Sequence, residues 1–143
     1  MSKTAVSHTY RKTQILTAAP AELLVLLYNA ALCFCDQART RMAEKKYEES
    51  HDLLVRAENV VLELSSGLRK EVYPELVKNL AKLYEFIFYR LVEANVSHNP
   101  KCIEDAAQLL TMLRDTWVVA ASRTAGDKGA VPAEEVKNVE LSA

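Results

Sequence analysis

Three connections decide what this chain can become. EKKYEE (Glu44 to Glu49) and VSHNPK (Val96 to Lys101) join long stretches of helical periodicity, and SSGLRKEVYP (Ser65 to Pro74) is the one longer link. Links this short place consecutive helices side by side and antiparallel. The apolar periodicity predicts helices from about Pro20 to Lys45, Tyr47 to Leu64, Pro74 to Val96 and Pro100 to Arg123. Pro20, Pro74 and Pro100 fall near helix starts, where the missing backbone donor costs nothing. With only three glycines and four prolines in 143 residues, the chain lacks the turn residues that strands require. The expected fold is all-α, an antiparallel up-down four-helix bundle, with no sheet.

The ends read differently. Residues 1–19 form a polar arm with isolated apolar side chains, Val6, Tyr10, Ile15 and Leu16, which a purely solvated segment would not need, so the arm is expected to dock. Residues 20–123 make the bundle. From Thr124 onward two of the three glycines and a proline interrupt any apolar stripe, and 124–143 is expected to be a mobile tail.

Composition removes several function classes. A net charge of -1 leaves no electrostatic footprint for nucleic acid. The amino-terminal MSKTAVSHTYRK has no apolar core of a secretory signal, which points to the cytoplasm. The apolar run Leu23 to Cys35 is broken by Asn29 and falls short of the roughly 20 residues that span a bilayer, so no membrane insertion is expected. Cys33 and Cys35 point to nearly opposite sides of one helix and Cys102 stands alone, so all three read as small apolar residues. Glu48 and His51 give one Glu-x-x-His spacing, but a di-metal bundle needs a second copy and further inward carboxylates. No phosphate loop or nucleophile elbow is present. The chain does not read as an enzyme, and no cofactor or metal is expected.

The third helix carries a surplus of apolar side chains. At 100° per residue Leu76, Leu80, Leu83, Ile87, Leu91 and Ala94 fall in one arc that suits the core. Val77, Tyr84 and Phe88 form a second stripe about a quarter-turn away, while Phe86 and Tyr89 project elsewhere. The second helix offers Leu53, Ala57, Val60 and Leu64 as its main stripe, and the fourth offers Ile103, Ala107, Leu110, Leu113 and Trp117. The first is apolar nearly all round, hence central or covered on a second side. A wide arc on the third helix is compatible with plain core packing and equally with a partner groove.

NLAKLYEFIFYRLVEANVSHNP followed by RDTWVVA resembles the third and fourth helices of the flagellar secretion chaperone FliS family, matching at Asn79, Leu80, Leu83, Tyr84, Arg90, Leu91, Ala94, Asn95 and Asn99, then at Asp115 and Trp117. YRKTQILTAAPAELLVLLYNAAL, from Tyr10, is similar to the family's amino-terminal stretch, so the resemblance covers Tyr10 to Val119. Ala19 stands where the family has Ser, which shifts the expected helix cap to Thr17, and Ala30 replaces a glycine. The resemblance implies a cytoplasmic chaperone that holds the disordered C-terminal region of flagellin, prevents premature polymerisation and assists type III export, with the export gate as a further partner. The expected contacts are Val77, Tyr84 and Phe88, with Leu26 and Tyr28 of the first helix and Tyr10, Ile15 and Leu16 of the arm, which serves as lid or clamp. The alternative is a homo-oligomeric helical scaffold, a weak homodimer using the same surface.

Overall fold

In the computed structural model, which describes residues 16–71 and 73–126, four helices follow one another: α1 (Ala21–Ala43), α2 (Tyr47–Ser66), α3 (Pro74–Ser97) and α4 (Pro100–Gly126). α1 packs against α2 and α4, and α3 packs against the same two, so the helices close into the expected antiparallel bundle. The expected starts hold to within a residue. α4 continues through 124–126, the first three residues of the expected tail; the remainder of that tail and arm residues 1–15, including Tyr10 and Ile15, lie outside the described residues.

Local chemistry explains the tight links. Lys45 (φ 62°) and His98 (φ 53°) both adopt the left-handed conformation that ends a helix abruptly. Lys46 N–H then returns to Arg41 O at 2.9 Å, and Asn99 N–H to Ala94 O at 3.3 Å. The two links meet where the Tyr47 and His98 rings stack, 3.9 Å between centroids. Asn99 also opens α4, its Oδ1 accepting the Lys101 N–H at 3.0 Å.

The opposite end corrects one expectation. Thr17 does not cap α1, which starts from Pro20 without a side-chain cap. The chain before α1 instead pairs with the α2–α3 link: Ala18 N–H donates to Gly67 O and Arg69 N–H to Leu16 O, each at 2.8 Å. With these backbone bonds made, Leu16 inserts beside Val77 to form a small satellite cluster with Leu68, Tyr73 and Leu76.

The main core takes Leu80, Leu83, Ile87, Leu91 and Ala94 from α3, as expected, and Tyr84 with them, while Leu76 of the expected arc packs on the satellite cluster instead. On α2 the buried stripe is Leu54, Ala57, Val61 and Leu64, so Leu53 and Val60 are turned to the half-buried flank. On α4 Ala106 is interior and Ala107 sits at the edge. α1 has the length and apolar composition to cross a bilayer, yet here it lies between two neighbours and buries Leu24, Tyr28, Ala31, Cys35, Ala38 and Met42. Leu83→Ala, in a position closed on all sides, should cost about 2–5 kcal/mol through the cavity it leaves, measured by urea unfolding.

Candidate functional site

The α2–α3 interface has a register that can be read from one contact. The Asn95 side-chain amide bonds to His51 Nδ1. From that rung, residues 51, 55, 58, 62 and 65 descend one edge of α2, and 95, 92, 88, 85 and 81 descend the facing edge of α3, each in steps of four and three. Continued at that register, the ideal helical repeat sets Glu58 opposite Phe88, Leu62 opposite Glu85 and Ser65 opposite Ala81. Small residues at the lower rungs leave the helices incompletely filled. The result is an open groove of about 280 Å³ walled by Val61, Leu62 and Ser65 on α2 and by Ala81, Tyr84, Glu85, Phe88 and Tyr89 on α3. Its lip is apolar: Leu62 is 50 % exposed and Tyr89 60 %, with Phe86 at 51 % on the neighbouring face.

Tyr84 forms the floor and is fixed from behind. Its hydroxyl lies 2.6 Å from the Tyr28 hydroxyl, which in turn accepts the Trp117 indole N–H at 3.0 Å. Three helices thus contribute one hydrogen-bonded group each to a chain in the interior. Burial holds the Tyr28 hydroxyl in its protonated form, its pKa pushed up to about 12 despite the bonds from Tyr84 and Trp117.

A second, larger cleft of about 470 Å³ lies at the foot of the bundle, between the residues preceding α1, α1 itself and the other side of α2. Thr17, Pro20, Leu23, Leu27, Leu64 and Gly67 line it, and Leu26 stands beside it with 65 % of its surface exposed.

The expected contact residues divide accordingly. Tyr84 and Phe88 are brought together in the α2–α3 groove, and Leu26 is on the surface. Tyr28 is not a surface residue, because its hydroxyl is the hub of the interior hydrogen-bond chain. Val77 and Leu16 are also buried, against one another, and Tyr84, only 2 % exposed, belongs to the main core, so of the expected stripe only Phe88 keeps appreciable surface. Phe88 is half-buried and edges onto the main core. The expectation missed Leu62, Tyr89 and Glu85. The signal for them was present in the outward position of Tyr89 and in the pairing of the two helix edges.

Several motif residues hold the bundle together. Arg90 Nη2 donates to Asp105 at 2.9 Å across α3 and α4, and Lys101 approaches the same carboxylate at 3.2 Å. Lys101, and then Arg90, hold the Asp105 carboxyl below its ordinary range. Arg114 reaches Asn29 of α1 at 3.1 Å. Glu58 is less well provided: one carboxylate oxygen is buried without a partner among the described residues, and burial raises its pKa although His51 opposes the shift. The Cys35 thiol is pushed up to about 12 by burial and by the nearby Asp36. Among the described residues no group of three or more His, Cys, Asp or Glu is placed to hold a metal ion.

Comparison with known proteins gives a consistent family. The sequence profile described as "Flagellar protein FliS" matches residues 2–124. The flagellar secretion chaperone FliS of Bacillus subtilis is 28 % identical over 119 residues, covering 83 % of this chain and 88 % of the relative. The flagellar secretion chaperone FliSB of Pseudomonas aeruginosa is 32 % identical over 106 residues, 74 % of this chain and 84 % of the relative. FliS of Salmonella typhimurium is 26 % identical over 107 residues, with coverages of 74 % and 79 %.

Tyr28→Phe should lower stability by about 1–3 kcal/mol, since it removes the acceptor of the Trp117 indole N–H and one partner of the Tyr84 hydroxyl behind the groove. An unchanged denaturation midpoint would show that both groups find other partners. Glu58 supplies a pH test. Its folded pKa lies above the unfolded value, so the folded state binds the extra proton between them and wild-type stability falls as pH rises through that window. Glu58→Gln should therefore be the more stable form at pH 7, with the gap closing as the pH drops below the ordinary carboxyl value, followed by thermal melts across pH.

Proposed function

This chain belongs to the FliS family of flagellar proteins, and from that premise we propose that it is a cytoplasmic export chaperone that holds the disordered C-terminal region of flagellin. The observation that carries the reading is the open α2–α3 groove, an apolar lip over a prefixed aromatic floor. An unpolymerised flagellin terminus is an amphipathic segment that aggregates through its apolar face. Covering that face delays polymerisation and keeps the segment unfolded enough to enter a type III export channel. The groove and the foot cleft lie on opposite sides of the C-terminal half of α2. A client that wraps this half would seat one apolar anchor in each, with Leu26 beside the second. A wrapped disordered client buries on the order of 2,000 Å² or more, enough to outweigh its ordering entropy.

Leu16 supports a role for the arm in the same process. It already covers Val77, one turn below Ala81 at the lower end of the groove. The arm that precedes it, with Tyr10 and Ile15, would shield the groove until a client displaces it. The affinity measured for a client is then reduced by the fraction of molecules with a closed groove.

Tyr89→Asp and Leu62→Asp test the site more cleanly than a change at Phe88, which also edges onto the core. Each should weaken binding of a flagellin C-terminal peptide by about tenfold or more in isothermal titration, with helical circular dichroism unchanged. Val96→Asp, exposed two turns above the groove, should bind as wild type. Equal affinities for all four proteins would place the client elsewhere.

A further inference from the structure

The two edges that form the α2–α3 groove carry an unbalanced charge. Along α2 the facing positions are His51, Val55, Glu58, Leu62 and Ser65; along α3 they are Ala81, Glu85, Phe88, Val92 and Asn95. Two of these ten are acids and none is Lys or Arg. Glu85 borders the groove directly and makes no ion pair with any described residue. Glu58 lies one turn above Leu62 on the other wall, with one buried carboxylate oxygen unpartnered. The rungs set them diagonally, each acid facing an apolar residue of the opposite helix.

An apolar segment laid over Tyr84, Phe88 and Leu62 would strip water from these carboxylates. A desolvated carboxylate without a counter-charge opposes binding: His51 acts on Glu58 alone, and the remaining polar groups at the groove, the Ser65 and Tyr89 hydroxyls, do not neutralise Glu85. A segment that brings a guanidinium or ammonium to the same place removes the penalty and adds a charge-assisted bond.

We infer that the α2–α3 groove selects an amphipathic helical segment that carries a Lys or Arg at the edge of its apolar face, paired with Glu85 and supported by Glu58. This rests on the client-binding reading above and adds the chemistry by which the groove tells one apolar helix from another. Acidic or neutral amphipathic segments of equal hydrophobicity are rejected by the unpaired carboxylates rather than by shape.

The test uses the full chain and a flagellin C-terminal peptide, with each Lys or Arg of the peptide replaced in turn by Glu. Glu85→Gln should weaken binding about three- to fivefold and flatten its dependence on salt, as expected for a rim charge. Glu85→Lys should weaken it about tenfold or more, and one of the charge-reversed peptides should recover most of that loss. Glu58→Gln combined with Glu85→Gln should remove the residual salt dependence. If the Glu85 variants bind as wild type while Tyr89→Asp loses binding, the groove holds the client and the charge selection is wrong. If Tyr89→Asp also binds normally, the client lies elsewhere and both readings fail. Charge-reversed peptides that never rescue Glu85→Lys would likewise overturn the pairing.

Discussion

Two tyrosine hydroxyls and an indole N–H lie in the middle of the helical bundle, where each needs a hydrogen-bond partner, and they bond to one another. Tyr28, Tyr84 and Trp117 come from α1, α3 and α4, and their hydrogen bonds are satisfied together only when these three helices share one axial register. Apolar packing alone tolerates small slips, since Leu against Leu is nearly as good a turn further on. A buried hydroxyl chain does not. The pair Tyr28 and Tyr84 also runs between helices that are not neighbours in the ring, so the chain crosses the bundle rather than following its perimeter.

α2 takes no part in that chain. It is held by its apolar stripe, by the Asn95 to His51 contact near its start, and by the link that carries Gly67 and Leu68 onto the segment before α1. Between those fixings the α2–α3 edge holds Ser65 and Ala81, too small to close the gap, and Glu85, too polar to be drawn into it. The groove is therefore a consequence of where the bundle is pinned. Its floor, Tyr84, belongs to the pinned part.

How far this was legible in the sequence depended on the kind of interaction. Helix starts were, since Pro74 and Pro100 act locally, and so was the core arc of α3, whose periodicity is strict. Tyr28, Tyr84 and Val77 were read as available surface because an aromatic or apolar residue off the main arc has no sequence mark for what lies behind it. In Tyr28 and Tyr84 that was a partner 56 positions away, and in Val77 it was Leu16, brought over by a two-bond backbone bridge that no side-chain pattern encodes. The half-step rotation of α2, with Leu54 and Val61 inward in place of Leu53 and Val60, arose because two adjacent apolar stripes compete for one core. Thr17 failed as a cap for a similar reason: the same short segment could make backbone bonds to the α2–α3 link instead.

A groove of this kind faces two opposed demands. It must be apolar enough to hold an aggregating segment, and an empty apolar groove is itself an aggregation hazard. The acids on its walls bear on both. While the groove is empty, the exposed Glu85 stays hydrated at the rim and interrupts the apolar patch formed by Leu62, Phe86 and Tyr89. Once a segment covers the groove, the same hydration must be surrendered, and the cost falls on any occupant that cannot replace it. On the proposed reading, discrimination among clients then rests on a rim carboxylate, Glu85, that water reaches while the groove is empty.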